Sequence, residues 1–388
     1  MMSEKKELEI YIHIPFCVRK CQYCDFLSGP SDEETKAQYM EALGREIEKK
    51  SSLYQDYMVT SIFFGGGTPT AVDAEALCRV LYLVRERFNV SPEAEITIEM
   101  NPGTVTKDAL KLYKKAGINR VSLGLQSTHN KELQSLGRIH TYEQFLETYK
   151  QVRETGFENV NVDLMSALPG QDVESYKASL KEVMNLTPPP EHISAYSLIV
   201  EEGTPFYEAY EQGRLDLPSE DEEREMYHLT KSYLEEQGYE RYEISNYAKP
   251  GRECAHNIGY WQRKNYVGFG IGAASLIENE RFSNGDNLLE YLKESGGCET
   301  NRQTLSLEEQ MEEYMFLGLR MCRGVSAKGF YESFAKTPEQ VYGEVIQKHI
   351  KNGLLEKVLY NQEEWIRLTE SGMDVSNYVM ADFLEPVI

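Results

Sequence analysis

Seven apolar, β-rich stretches recur along the first 245 residues, at 8–14, 60–64, 95–100, 120–125, 159–165, 192–199 and 239–244. Segments of helical pattern lie between them, near 34–56, 73–88, 106–116, 141–155, 173–186 and 219–238. Strands alternating with helices are built from βαβ units, whose product is a parallel sheet covered by helices. Asp73 and Thr106 stand where helix N-caps are expected, and Gly117, Gly156 and Gly238 where helices should stop. Pro188-Pro189-Pro190 is a loop that ends a helix before the next strand. Six or seven such units predict an α/β fold, a partial (β/α) barrel whose functional site lies at the C-terminal ends of its strands.

The rhythm changes after residue 245. Residues 246–305 form a Gly- and Asn-rich connecting region containing NIGYWQRKNYVGFGIGAAS. Residues 306–388 read as a small α+β domain. It has a helical run SLEEQMEEYMFLGLRMC, shorter helices near 326–334 and 338–350, and a hairpin over 354–368, an order that resembles a winged helix. Many winged helices bind DNA, but residues 311–388 hold 8 Lys/Arg against 12 Asp/Glu, and the whole chain carries a net charge of −22. That charge opposes phosphate binding, so no nucleic-acid partner is expected and the domain is read as a lid or docking module. No run approaches the ~18 consecutive apolar residues of a membrane span, which leaves only peripheral membrane contact. The N-terminus lacks the apolar stretch of a signal peptide, and the expected location is cytoplasmic.

The seven cysteines are unevenly spread: Cys17, Cys21 and Cys24 fall within eight residues, in IHIPFCVRKCQYCDF directly after the first strand. Three thiols cannot close a disulfide set, and no zinc-type pair follows them. They suit an iron–sulfur cluster held at three corners, which leaves one iron open to an outside ligand. Cys78, Cys298 and Cys322 read as small apolar residues, and Cys254 as a poor ligand. His13 is expected either near the cluster or as a satisfied strand histidine, and the run 220–223 as an acidic helix N-terminus.

Other chemistry-bearing residues sit at strand ends. The second strand runs into Gly65-Gly66-Gly67-Thr68-Pro69, where missing side chains allow a ligand close to the backbone and the carbonyls can accept from an ammonium. Glu99 ends the third strand, where it is either an acceptor for two ribose hydroxyls or a solvated acid. Gln126 ends the fourth strand, Arg138 follows twelve residues later, and Asp163 ends the fifth. Together they can bind carboxylate and hydroxyl groups, although each alone could be a structural partner.

The C-x3-C-x2-C loop in this setting resembles the radical S-adenosylmethionine proteins. The resemblance implies a [4Fe–4S] cluster whose open iron takes the methionyl amine and carboxylate of S-adenosyl-L-methionine, and whose electron cleaves the sulfonium to a 5′-deoxyadenosyl radical. The strings YIHIPFC, FFGGGTP, IEMNPG, GLQS and DLMSALPGQ narrow it to the oxygen-independent coproporphyrinogen III oxidase family. On that resemblance Cys17, Cys21 and Cys24 hold the cluster, and Tyr11, Tyr23, Gly66, Gly67, Thr68, Glu99, Gln126, Arg138 and Asp163 match cluster and cofactor positions. Tyr23 is placed beside the adenine or, on residue type alone, packs at the barrel mouth.

Phe26 stands where the oxidase has a further cysteine, and the first strand starts too early for the oxidase's N-terminal extension. Both departures resemble the HemW-like heme chaperone branch, as does His256-Asn257-Ile258-Gly259-Tyr260-Trp261, a motif that branch implicates in heme binding through its imidazole; on residue type alone, a loop histidine beside a tryptophan is a structural one. The implied function is a radical SAM-type protein that binds heme as cargo and passes it to heme-accepting proteins. An electron donor such as flavodoxin or ferredoxin would serve its cluster. Coproporphyrinogen decarboxylation and another radical SAM activity, such as methyl transfer, are the alternatives.

Overall fold

In the computed structural model, which describes residues 6–293 and 299–384, the chain opens with six parallel strands in sequential order. They are β1 (Lys6–Ile14), β2 (Tyr57–Gly66), β3 (Val90–Met100), β4 (Arg120–Gln126), β5 (Val160–Ser166) and β6 (His192–Ser197). The connecting helices are α1 (Glu33–Ser51), α2 (Ala74–Arg87), α3 (Lys107–Ala116), α4 (Asn130–Ser135), α5 (Tyr142–Glu154), α6 (Val173–Met184), α7 (Pro205–Glu211) and α8 (Glu220–Glu236). Asp73 accepts from the Ala76 amide and Thr106 from the Ala109 amide, as their positions predict. The acidic run 220–223 occupies the first turn of α8 behind the capping box of Ser219 and Glu222.

Period-two alternation divides each strand between two environments. On β1, Leu8, Ile10, Ile12 and Ile14 are fully buried in the main hydrophobic core with helix residues such as Leu43, Ile47, Leu77 and Leu81. The alternate residues Glu9, Tyr11 and His13 take the concave face, and so do Ser61 and Phe63 of β2 and Glu95, Thr97 and Glu99 of β3. The barrel interior is therefore polar and aromatic, while its apolar packing lies outside the sheet.

The sheet does not close. The seventh β-rich stretch, 239–244, was expected as another barrel strand. It forms only β7 (Glu240–Arg241), which pairs antiparallel with β8 (Asn246–Ala248) at one edge. Alternating Tyr and charged residues leave it too few apolar side chains to be covered on both faces as a parallel strand must be. At the opposite edge α9 (Ala255–Trp261) precedes β9 (Tyr266–Phe269), which pairs parallel to β1. Antiparallel β10 (Ala274–Ile277), β11 (Glu280–Asn284) and β12 (Glu299–Thr304) follow, with α10 (Leu288–Lys293) before the last, completing a 12-stranded mixed sheet. Cys298 lies outside the described residues.

The remaining chain forms α11 (Leu307–Gly318), β13 (Val325–Ser326), α12 (Ala327–Phe334), α13 (Pro338–Lys351), β14 (Leu355–Tyr360), β15 (Glu363–Leu368), α14 (Glu370–Asp374) and α15 (Ser376–Ala381). The expected hairpin is β14–β15, and with β13 it makes a three-stranded antiparallel sheet over a separate core that includes Met315, Phe330, Ile346 and Ile366. Among the described residues no helix is long and apolar enough to cross a membrane.

One buried carboxylate ties the added strands to the barrel. Glu46 of α1 is fully buried and accepts from Lys50 Nζ at 2.9 Å, Asn284 Nδ2 at 2.7 Å, the Gly270 amide at 2.9 Å and Tyr291 Oη at 2.7 Å. Removing Glu46 would leave Lys50 only Asn284 at 3.0 Å and the longer pair with Glu299 at 3.7 Å, and would strip the Gly270 amide and Tyr291 of their acceptor. Glu46→Ala is expected to cost about 3–5 kcal/mol in urea unfolding followed by circular dichroism, whereas Glu41→Ala on the exposed side of α1 should change stability by less than about 0.5 kcal/mol.

Candidate functional site

The cysteine loop leaves β1 and is pinned at both ends. The Cys17 amide donates to Gly29 O at 2.9 Å, the Gly29 amide to Pro15 O at 3.0 Å, and the Gln22 amide to Leu136 O at 2.9 Å. The loop covers a cavity of about 330 Å³ at the C-terminal ends of β2–β6. Cys17, Cys21, Cys24, Tyr23, Gly66, Gly67, Thr68, Glu99, Gln126, Arg138 and Asp163 all line it. Eleven of the thirteen residues nominated from sequence thus meet in one place; Tyr11 and His256 do not.

A hydrogen-bonded arc joins two of the thiols. Thr68 Oγ1 lies 3.6 Å from Cys17 Sγ and accepts from Asn101 Nδ2 at 2.6 Å. Asn101 Oδ1 accepts from Arg138 Nη2 at 2.6 Å; that nitrogen also donates to Gly124 O at 2.5 Å, and Arg138 Nη1 lies 3.7 Å from Cys21 Sγ. Arg138, read with Gln126 and Asp163 as able to bind carboxylate and hydroxyl groups or as a structural partner, has its fork engaged by Asn101, Gly124 and the cysteine loop. Asn101, the central member, was missed; its only signal was its place just past a strand end, in NPG.

The glycines of β2 answer first to the protein. Gly66 has φ +107°, and a Cβ on it would stand 2.5 Å from the His13 ring. A Cβ on Gly67 would come within 2.6 Å of Phe16 O. Beside them Glu99 accepts from the Gly66 amide at 3.2 Å. Burial, reinforced by the Asp163 charge, pushes the Glu99 carboxyl up to about 8. Asp163 accepts from Asn161 Nδ2 at 2.6 Å, and burial raises its pKa as well. Gln126 occupies a left-handed conformation, φ 74°, at a break in the β4–β5 register, and accepts from Tyr196 Oη at 3.2 Å. Strained backbone of this kind concentrates at functional sites. Tyr23 packs toward Phe206, with ring centroids 6.5 Å apart, while still lining the cavity.

A second cavity, of about 550 Å³, adjoins the first and shares Phe26, Gly66 and Glu99 with it. Its other walls include Tyr11, His13, Tyr260, Trp261, Tyr266 and Leu276. His13 is a satisfied strand histidine, with Nε2 2.9 Å from Leu27 O and Nδ1 3.1 Å from Tyr11 Oη. His256, expected either as a heme-binding imidazole or as a structural histidine, has both ring nitrogens engaged within the protein. His256 is 1% exposed, stacks on Phe63 at 5.0 Å, and has Nδ1 2.8 Å from Ser61 Oγ and Nε2 3.2 Å from Tyr260 Oη. Burial lowers its pKa to about 3, so the ring is neutral. The aromatics of the same motif, Tyr260 and Trp261, are the groups that reach the cavity.

Glu9, also unforeseen, packs under α9: a Cβ on Gly259 would fall 1.9 Å from its Oε1, so only glycine lets the helix backbone approach. Burial pushes Glu9 up to about 8 against the pull of Lys264 and Ser61, and its Oε2 has no hydrogen-bond partner. Cys254 is buried against Glu95, with Sγ 3.5 Å from Oε1. Cys78 is buried, and Cys322 is half-buried against the C-terminal core.

An open parallel sheet with three cysteines on the loop after its first strand defines a radical SAM protein. Residues 11–183 match the model of the Radical SAM superfamily and residues 305–375 that of the HemN C-terminal domain. The chain is 36% identical over 381 residues to "Heme chaperone HemW" of Lactococcus lactis, covering 98% of each chain. It is 36% identical to that of Bacillus subtilis over 378 residues, covering 96% of this chain and 98% of the relative. It belongs to the HemW family. The solved structure of coproporphyrinogen III oxidase (HemN) from Escherichia coli shares the fold, with TM-score 0.83, 24% identity, and coverage of 98% of this chain and 90% of that one.

Membership of the radical SAM superfamily implies a [4Fe–4S] cluster and S-adenosylmethionine, and the donor set fits both. Among the described residues no three His, Cys, Asp or Glu side chains converge on a single-ion site. A four-iron cluster instead spreads its thiolates over separate corners, and three free cysteines line one cavity here. Cys21→Ala is expected to abolish the brown chromophore after anaerobic reconstitution, with Cys78→Ala and Cys322→Ala retaining full iron content by colorimetric assay. Glu9 gives a pH prediction. Its carboxyl is neutral in the fold up to about 8 but ionises near 4.5 when unfolded, so stability falls as pH rises through that window. Glu9→Gln should flatten the decline between those limits in urea titrations at successive pH values; an unchanged slope would contradict the assignment.

Proposed function

We propose that this chain is a radical SAM heme chaperone, which binds heme as cargo and transfers it to acceptor proteins. The observation that carries the reading is the aromatic cavity of about 550 Å³ that adjoins the cysteine-lined cavity and is walled by Tyr260 and Trp261. A planar apolar macrocycle suits such walls, since aromatic rings stack on its faces. Family membership and the relatives' names support the same reading.

In this proposal Cys17, Cys21 and Cys24 hold the cluster. Gly66, Gly67, Thr68, Glu99, Gln126 and Asp163 surround S-adenosylmethionine, with Tyr23 at its edge. Arg138 positions Cys21 and Asn101 rather than binding the cofactor directly. When bound, the cluster supplies an electron to the sulfonium of the cofactor. Glu99 offers an acceptor, and while protonated one donor, to ligand hydroxyls. Phe26, 63% exposed and common to both cavities, separates the cofactor from the cargo. His256 holds Ser61 and Tyr260 in place from inside the barrel. Residues 306–388 act as a lid or docking module over the cargo, electrons come from a flavodoxin or ferredoxin, and the protein works in the cytoplasm.

Two assays on one reconstituted sample test the reading. Heme titration should give a saturable Soret band near one heme per chain, and coproporphyrinogen III with reductant and S-adenosylmethionine should give no decarboxylated product. Product formed at many turnovers per cluster would replace this reading with the oxidase. His256→Ala is expected to leave heme bound at reduced affinity, because the ring shapes the wall and its nitrogens are already engaged.

A further inference from the structure

A third cavity, of about 300 Å³, lies between α9, α11 and the three-stranded sheet, on the other side of Trp261 and Arg263 from the aromatic cavity. Trp261 and Arg263 line both cavities, so the two spaces adjoin at these side chains. The chain has 2 tryptophans, and the second, Trp365, lines this smaller cavity too. The groups around it are short of acceptors. The indole Nε1 of Trp261 and of Trp365, Arg263 Nη2 and Arg320 Nε are all buried without a hydrogen-bond partner among the described residues. Such groups stay dry only at a penalty unless an acceptor reaches them.

The charge points the same way. No Asp or Glu lines the cavity, while Arg263 and Arg323 do. The Arg320 guanidinium lies 4.3 Å from the centre of the Trp261 ring, and that of Arg323 lies 4.2 Å from the centre of the Trp365 ring. Arg263 Nε pairs with Glu313 at 2.8 Å, but the same carboxylate also pairs with Arg281 at 2.6 Å, so one negative group serves two cations. Glu243, beyond the cavity lining, faces Arg320. In a chain of net charge −22 this is a local surplus of cations and unpaired donors.

We infer that the cavity walled by Trp261, Arg263, Arg323 and Trp365 is a carboxylate subsite, which takes a propionate arm of a tetrapyrrole whose ring occupies the larger cavity across Trp261. The inference rests on the heme reading above. Guanidinium groups beside unpartnered N–H donors match an anionic carboxylate and disfavour its ester, which has lost the charge. Trp365 and Arg323 belong to the C-terminal sheet region, so cargo seated in this way is gripped by the barrel and the C-terminal sheet together.

The test compares heme with its dimethyl ester, which has the same ring and iron but no carboxylates, in Soret titrations of the reconstituted full chain. Heme should bind about tenfold or more tightly than the ester, the size expected for charge-assisted hydrogen bonds. Trp365→Phe and Arg323→Gln should each shrink that ratio while leaving ester affinity and the circular dichroism spectrum unchanged. Equal binding of acid and ester by the parent protein would overturn the subsite and leave the heme reading standing. A ratio unchanged in both variants would overturn the placement in this cavity. Failure of both ligands to bind would overturn the heme reading and the subsite with it.

Discussion

Arg138 brings a guanidinium to the mouth of the sheet, where it bonds Asn101 and Gly124 and faces Cys21 Sγ, with no carboxylate among the described residues bonded to it. A guanidinium held this way stands 3.7 Å from the Cys21 sulfur and fixes where that sulfur sits at the mouth. Through Asn101 and Thr68 the same arc reaches Cys17, so β2, β3, β4 and the cysteine loop are fixed relative to one another by side chains that are not themselves ligands. Ligand geometry is set by such outer partners as much as by the ligands. The rest of the site depends on this frame: with the loop anchored over the strand ends, the glycine turn, Glu99 and Asp163 are brought to one cavity.

The polar barrel interior links that cavity to the motif-bearing helix. From Asp163 the chain of contacts runs through Asn161 to His192, 2.7 Å away, then to Tyr242 Oη at 2.8 Å, to which the Cys254 amide donates at 3.3 Å. Glu95 then accepts from the Ala255 and His256 amides at 3.1 and 3.2 Å, and His256 reaches Ser61 and Tyr260. Buried polar groups are satisfied or costly, so a fully engaged chain of this length holds α9 in one position. Tyr260 and Trp261 are consequently presented at a fixed place beside the cysteine-lined cavity.

Much of this was legible in sequence because it follows from short-range rules. Period-two apolar strands, helix caps and C′ glycines located β1–β6 and their helices, and the three cysteines with the strand-end motifs located the mouth. Three features escaped. Strands β9–β12 are four to six residues long within Gly- and Asn-rich sequence, and they are stabilised by pairing onto β1 and by Glu46 rather than by their own pattern. The stretch 239–244 looks strand-like but carries too few apolar side chains to be covered on both faces, and so becomes an edge. His256 looked available in a motif of aromatics, yet its partners Ser61 and Phe63 come from 195 and 193 residues earlier in the chain, a proximity that exists only after folding. Asn101 and Glu9 escaped for the same reason.

The central claim is that three thiolates leave one corner of a cluster facing the cavity framed by Gly66, Glu99 and Asp163. Electron paramagnetic resonance of the dithionite-reduced, reconstituted protein with and without S-adenosylmethionine tests it most directly. The cluster signal is expected to shift its g-values on adding the cofactor, and to lose that shift, with the cluster retained, when Asp163 is replaced by Ala. A cluster signal that S-adenosylmethionine leaves unchanged at saturating concentration would contradict it.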